Sequence, residues 1–251
     1  MGNPSKMCYI ESSMFKVFSE NLLSFVFPLS CEICGEMLPA GEAKGVCENC
    51  RKSIPRIPAP HCPKCGRFSS EFAQDCQACR KDRFNFRRIY AAVYYDGHAK
   101  KLLRTLKFER RKILANTFLE ILKEYAMENI PKRPWDEIVP VPMHRKGLFE
   151  RGFNQADLLA KGVSKIFEKP LFCGVLVSDN RRLPQSKLGK TDRKENVQGV
   201  FSLARGADVA GKRILLVDDI LTTGQTASQC AKVMKDAGAA SVDVLVAARG
   251  L

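Results

Sequence analysis

Eight of the eleven cysteines fall between residues 31 and 79, as four C-x-x-C pairs written "CEICG", "CENCR", "CPKCG" and "CQACR". A stretch this short cannot bury a core of its own, so it needs a covalent or metal staple. The order narrows the choice. Cys31-Cys34-Gly35 followed by Cys47-Cys50-Arg51 recurs as Cys62-Cys65-Gly66 followed by Cys76-Cys79-Arg80, the mark of a duplicated unit. Two knuckles supply four thiolates for one tetrahedral Zn²⁺, and the glycine after the first lets the backbone turn around the metal. Duplication favours one zinc within each copy; an interleaved pairing also satisfies the spacing. With cysteine in all four positions no site is left open for water or substrate, so both zincs are expected to be structural. A disulfide framework would require a secreted chain. His61 borders a ligand and is read as solvent-facing, while Cys8, Cys173 and Cys230 lack a C-x-x-C partner and are read as ordinary or buried thiols.

The chain has 251 residues, long enough for one sizeable core beside a small appended module. Its 41 basic against 27 acidic residues give a formal charge of +14. Eight zinc-bound thiolates and two Zn²⁺ ions lower that to about +10, which still calls for anionic partners. No run of 18 or more apolar residues predicts a membrane-spanning helix. "NLLSFVFPL" imitates a secretory core, but the segment before it is weakly basic and Pro28 disfavours a lipoprotein site. A cytoplasmic chain is expected, with peripheral attachment at the inner face of the membrane as a variant. Residues 1–30 are expected to be helical: Met14, Phe18, Leu22, Phe25 and Val26 share a face that suits packing on the protein's own core or on a membrane or partner.

A second feature carries chemistry. In "RILLVDDILTTGQTASQCAKVM", a branched apolar run suited to a doubly buried strand ends in two acids, then threonines and a glycine, then a helical composition. A turn from strand into helix aims free N–H groups outward where the helix dipole favours an anion, and Gly224 allows close approach. Asp218 and Asp219 would repel a phosphate and instead suit neutral hydroxyls a few ångströms away. A ribose 5-phosphate offers both groups. The motif resembles the phosphoribosyl pyrophosphate (PRPP) signature of type I phosphoribosyltransferases, which implies Asp218 and Asp219 on the ribose hydroxyls and Leu221, Thr222, Thr223, Gly224, Gln225 and Thr226 around the 5-phosphate.

The rest of the C-terminal part alternates strand and helix. "RRIYAAVYYDG", "DEIVPVPMHRKG", "FCGVLVSD", "KRILLVDD" and "SVDVLVAARG" read as strands, separated by helical stretches such as "RGFNQADLLAKGVSKIF". This pattern predicts an α/β domain over 83–251 after a ribbon over 31–82, with a parallel sheet flanked by helices and ligand at the carboxyl ends of its strands. "PMHRKG" then brings His144, Arg145 and Lys146 to the same rim, where a pyrophosphate needs cations, and it resembles the pyrophosphate loop of the same enzymes. "RRLPQSKLGKTDRKENVQGVF" is poor in apolar residues and reads as a mobile lid or an exposed linker, with Lys187 and Arg193 as candidate contacts.

The ribbon, "LKFERR", "VPVPMHRKGLFERGFNQA", "LPQSKLGKTDRKENVQGVF" and the PRPP loop together resemble the ComF family of competence-associated proteins, including GntX-like members. The resemblance implies a zinc-binding N-terminal domain, a type I phosphoribosyltransferase fold, Mg²⁺ with PRPP, and involvement with DNA-uptake proteins in natural competence. Nothing in the sequence names an acceptor pocket. A different class is also open: a single-stranded DNA module that uses PRPP as a sensed ligand or not at all. Residues 81–112 hold eleven basic and three acidic residues among aromatics, with Arg104, Lys107, Arg110 and Arg111 as candidate nucleic-acid contacts. The same aromatics would equally fill a core.

Overall fold

The computed structural model describes residues 29–39, 44–58, 61–67, 76, 79, 84–130, 134–178 and 200–250. Residues 1–28 of the expected helical segment 1–30, and Cys8, Lys187 and Arg193, lie outside them. The elements in chain order are α1 (Glu48–Lys52), β1 (Ile89–Tyr94), α2 (Gly97–Phe108), α3 (Leu114–Asn129), β2 (Glu137–Pro140), α4 (Arg145–Arg151), α5 (Gln155–Phe167), β3 (Leu176–Ser178), β4 (Phe201–Leu203), β5 (Arg213–Leu221), α6 (Gln225–Asp236) and β6 (Ser241–Arg249).

β1, β6, β5 and β2 lie side by side in that order, each pair parallel. Because side chains alternate across a strand, the sheet feeds two cores. Leu215, Val217, Leu245 and Ala247 face Leu102, Phe118, Leu159 and Val163 from α2, α3 and α5. Ile214, Leu216, Val242, Val244 and Val246 face Ala227, Cys230, Ala231 and Met234 of α6. Burial on both faces explains why β5 and β6 read as nearly continuous apolar runs.

The third expected strand takes another path. Leu171 makes only a single parallel bridge to Ile138 of β2. The chain then turns at Gly174, whose φ of 73° is left-handed, and β3 pairs antiparallel with β4. Phe201, expected at the end of the mobile stretch, pairs with Ser178 in that hairpin.

The ribbon is no separate bead on this domain. Cys31, Leu38, Val46 and Ile54 are buried in the same cluster as Leu102 and Phe118. Arg51, 5% exposed, binds Glu48 and reaches Glu124 on α3, which also takes Arg56 at 2.9 Å.

A buried polar joint pins β6. Asp243 is fully buried and accepts Arg87 Nε and Nη2 at 2.9 and 2.6 Å and Trp135 Nε1 at 2.9 Å. Asp243→Ala strands the indole N–H while the half-exposed Arg87 regains water, so the variant is expected to lose about 3 kcal/mol in urea unfolding. A loss below about 1 kcal/mol would show the joint to be dispensable.

Candidate functional site at the sheet rim

Parallel pairing brings the carboxyl ends of β2 and β5 to one edge: Pro140 is in register with Val217, and Val141 N–H donates to the Val217 carbonyl at 2.9 Å. The 142–147 turn therefore leaves the sheet next to Asp218. Asn154 is tied to the residue where the turn begins. Its Oδ1 caps α5 by accepting from Ala156 N–H at 3.2 Å, while its Nδ2 donates to Val141 O at 3.0 Å and to Asp157 at 2.9 Å. His144 caps α4, its Nδ1 accepting from Lys146 N–H at 3.2 Å, and leaves Arg145 and Lys146 exposed.

On β5, Asp218 Oδ1 accepts the Asp219 N–H at 2.8 Å. Asp219 is 6% exposed, and its Oδ2 lies 2.7 Å from Lys107 Nζ, an ion pair made off the hydrogen-bonding direction. Asp218 keeps a strip of accessible surface, yet protein atoms crowd its carboxyl. That crowding, then the adjoining Asp219 charge, push its pKa up to about 8, with Lys107 pulling the other way. Burial first, and the Asp218 charge second, push the Cys230 thiol up, so this cysteine lies inert beneath the acids.

Beyond Leu221, whose side chain is core, the chain turns at Thr222 and Thr223 into α6. Gly224 caps that helix at φ 83°, and a Cβ there would sit 2.7 Å from Phe84 Cε1. Conformation and space both require glycine. Thr222, Thr223 and Thr226 are exposed, and Thr223 Oγ1 accepts the Gln225 N–H at 3.4 Å. The rim thus joins paired carboxylates, a helix N-terminus and hydroxyls on one side to a basic turn on the other.

The cysteines resolve into two clusters, Cys31, Cys34, Cys47, Cys50 and Cys62, Cys65, Cys76, Cys79, each with its sulfurs within 4.8 Å of one another. Pairing is within each copy. Sulfurs at 3.8 Å (Cys34–Cys47), 3.7 Å (Cys62–Cys79) and 3.6 Å (Cys65–Cys76) match the edge of a tetrahedron with Zn–S bonds of about 2.3 Å. The residues fit structural zinc. Cys173, read as an ordinary thiol, is disulfide-bonded.

Residues 22–81 match the double zinc ribbon domain model and 155–251 the phosphoribosyl transferase domain model. The chain is 29% identical over 229 residues to the DNA utilization protein YhgH of Escherichia coli strain K12, covering 89% of this chain and 98% of that protein. It is 30% identical over 201 residues to competence protein ComFC of Bacillus subtilis strain 168, covering 78% of this chain and 80% of that one. The chain belongs to the ComF family. Among solved structures, adenine phosphoribosyltransferase from Saccharomyces cerevisiae matches at 19% identity and TM-score 0.35, over 55% of this chain and 72% of that one. The type I phosphoribosyltransferase fold of the ComF chain, a parallel sheet flanked by helices behind a zinc ribbon, agrees with its sequence pattern.

The ComF motif "LKFERR" divides its cations. Lys107 turns inward to Asp219, Arg111 pairs with Glu32 at 2.5 Å, and Arg110 donates to the Glu150 carbonyl; Arg104, just before the motif, is exposed. Lys107 follows buried Leu103 by one helical turn, a spacing that places it on the inner face. Phe86 and Tyr90 are buried, and Phe84 stacks on Phe86 with ring centroids 4.9 Å apart, so these aromatics fill the core. Phe108 stays 64% exposed. No described helix is long and apolar enough to cross a membrane.

Proposed function

We propose that this ComF protein binds PRPP with Mg²⁺ at the sheet rim and transfers or senses its phosphoribosyl group, in a cytoplasmic role tied to DNA uptake in competence. The observation that carries the reading is the Asp218–Asp219 pair at the end of β5, followed at once by the Gly224-capped N-terminus of α6. The loop over 222–226 would hold the 5-phosphate through amides and hydroxyls, and the two acids would take the 2- and 3-hydroxyls. Lys107 keeps the second acid in place by its charge. Arg145, Lys146 and Arg193 would balance negative charge on the departing pyrophosphate, and Mg²⁺ would neutralise it further when bound. As pyrophosphate leaves, C1 becomes cationic and open to an acceptor. The competence and DNA-utilization relatives support the biological setting.

Calorimetry of the intact chain with PRPP and Mg²⁺ is expected to show saturable binding that is lost in Asp219→Asn. No heat up to ~1 mM, the weak end of common substrate affinities, would end the reading.

One observation favours a single-stranded DNA reading beside it. Phe149 is 90% and Phe108 64% exposed, the Arg151 guanidinium lies 5.2 Å from the Phe108 ring, and Arg110 ties this end of α2 to α4. Exposed Arg104, Arg145 and Lys146 surround these rings with phosphate-seeking charge. Affinity for a single strand is expected to fall steeply as salt rises and to drop about tenfold in Phe149→Ala. Affinity indifferent to salt and to Phe149 would reject it.

A further inference from the structure

Arg249, the last residue of β6, is 1% exposed, yet it makes no ion pair with a carboxylate among the described residues. Its donors go to backbone carbonyls instead. Nε reaches Cys65 O at 2.7 Å; Nη1 reaches Leu221 O at 2.8 Å, Gly250 O at 2.6 Å and also Thr222 O. One side chain therefore joins a knuckle of the second cysteine cluster to the backbone that opens the sugar-phosphate loop. Burying an unpaired guanidinium is costly. The second cluster lies against the guanidinium, whose Nε donates to the carbonyl of its ligand residue Cys65. Four thiolates around one Zn²⁺ carry a net charge of −2, a matching counter-charge.

The chain leaving that cluster closes on the far side of the loop. The Phe84 ring fills the space over Gly224, and Asn85 donates its backbone N–H and its Nδ2 to Ser228 Oγ at 3.0 and 2.9 Å in the first turn of α6. The first cluster points elsewhere. Its polar contacts run to α2, α3 and the connection between them, through Lys101 to Glu32 O, Arg51 to Glu124, and Arg111 to Glu32.

We infer that the second zinc ribbon is the back wall of the sugar-phosphate loop, with Arg249 as the positioning residue between them, so that metal occupancy at Cys62, Cys65, Cys76 and Cys79 controls whether the loop is ordered for ligand. The ligand half of this inference rests on the PRPP reading above. Occupancy of the first site reaches the loop only through the global stability of the shared core. Loss of zinc at the second cluster then switches off the rim without touching a residue in it.

The linkage has a test that needs no turnover. Hydrogen exchange of the 221–228 amides, measured on the intact zinc-loaded chain and taken relative to the α3 amides, is expected to speed up about tenfold in Arg249→Lys and in Cys79→Ser, and that ratio is expected to stay unchanged in Cys50→Ser. Arg249→Lys keeps the charge but loses the fork that spans the carbonyls. Equal effects of the two cysteine variants, or none from either, would overturn the inference. Should a variant fail to fold, the wild-type chain carries the test. Linkage is reciprocal, so PRPP with Mg²⁺ is expected to slow zinc release to a chromophoric chelator from one site about tenfold and leave the other untouched. Inorganic pyrophosphate controls for zinc capture by the ligand. Release slowed equally at both sites, or at neither despite measured PRPP binding, would overturn it. Absence of PRPP binding with the exchange pattern intact would instead overturn the ligand reading and leave the zinc-to-loop linkage standing.

Discussion

Stripping zinc from the intact chain is expected to unfold far more than the ribbon. Apparent zinc binding to a four-ligand structural site is worth about 10–16 kcal/mol, while a whole domain is stable by about 5–15 kcal/mol. The loss spreads because the ribbon lends apolar side chains to the main core: Cys31, Leu38, Val46 and Ile54 pack with Leu102, Leu114 and Phe118. Backbone bonds cross the same boundary, from Ile57 N–H to Ala92 O at 3.1 Å and from Ile89 N–H to Pro63 O at 2.9 Å. Removing the metals would expose those surfaces and free four thiols at each site, which then no longer tie the knuckles together. Thermal melts followed by circular dichroism, with zinc content measured alongside, should show two zincs per chain and a single transition that drops sharply after chelation. An unchanged melt after both metals are shown to be gone would mean that packing alone holds the ribbon. Two separated transitions would restore the appended module that composition suggests.

Asp218→Asn is expected to stabilise the unliganded protein at pH 8 while weakening PRPP binding about tenfold to a hundredfold, the cost of losing a hydrogen bond to a charged acceptor. The carboxyl titrates near 3.8 when unfolded and is pushed up to about 8 in the fold, first by burial and then by Asp219. Between those values the native chain holds a proton that the unfolded chain has released, so stability is full below pH 4 and falls as pH rises through 8. Asparagine is neutral throughout and lacks this slope. The gap between variant and wild type should open steadily from pH 4 to pH 8, read from urea midpoints at each pH. A constant gap would show that Asp218 is ordinarily ionised in the folded chain. A variant that is less stable at every pH would mean that the Asp218 contact to Asp219 N–H outweighs the charge. Strain of this kind, relieved by a substitution that damages binding, is a common mark of a functional site.

Several features were visible in the residues alone because their physics is local. Thiolate pairs two residues apart can share one metal wherever the chain goes next. The duplicated order of Cys31 to Cys79 favoured pairing within each copy, although only folding removed the interleaved choice. Branched apolar runs such as 213–217 are compatible with little except a doubly buried strand. The acids, threonines and glycine at 218–226 sit on one turn, so their proximity required no long-range contact.

Other features depend on what the fold brings across distance. Lys107 stands among surface cations in the sequence but meets Asp219 because α2 packs along the sheet. Phe84 and Phe86 belong to a basic, aromatic stretch but lie against Gly224 and the second core. Asp243 and Arg249 are lone charges in an apolar strand; the first finds Arg87 and Trp135, and the second finds Cys65, Leu221 and Thr222.

By itself, then, the sequence determined the metal staples, the strand-and-helix alternation and the chemical character of the rim, because spacing and side-chain chemistry act within a few residues. Tertiary structure alone decided which charges are buried, which partners they take and how the ribbon meets the loop. Those outcomes turn on desolvation, and a charge is desolvated only by the segments that close over it from elsewhere in the chain.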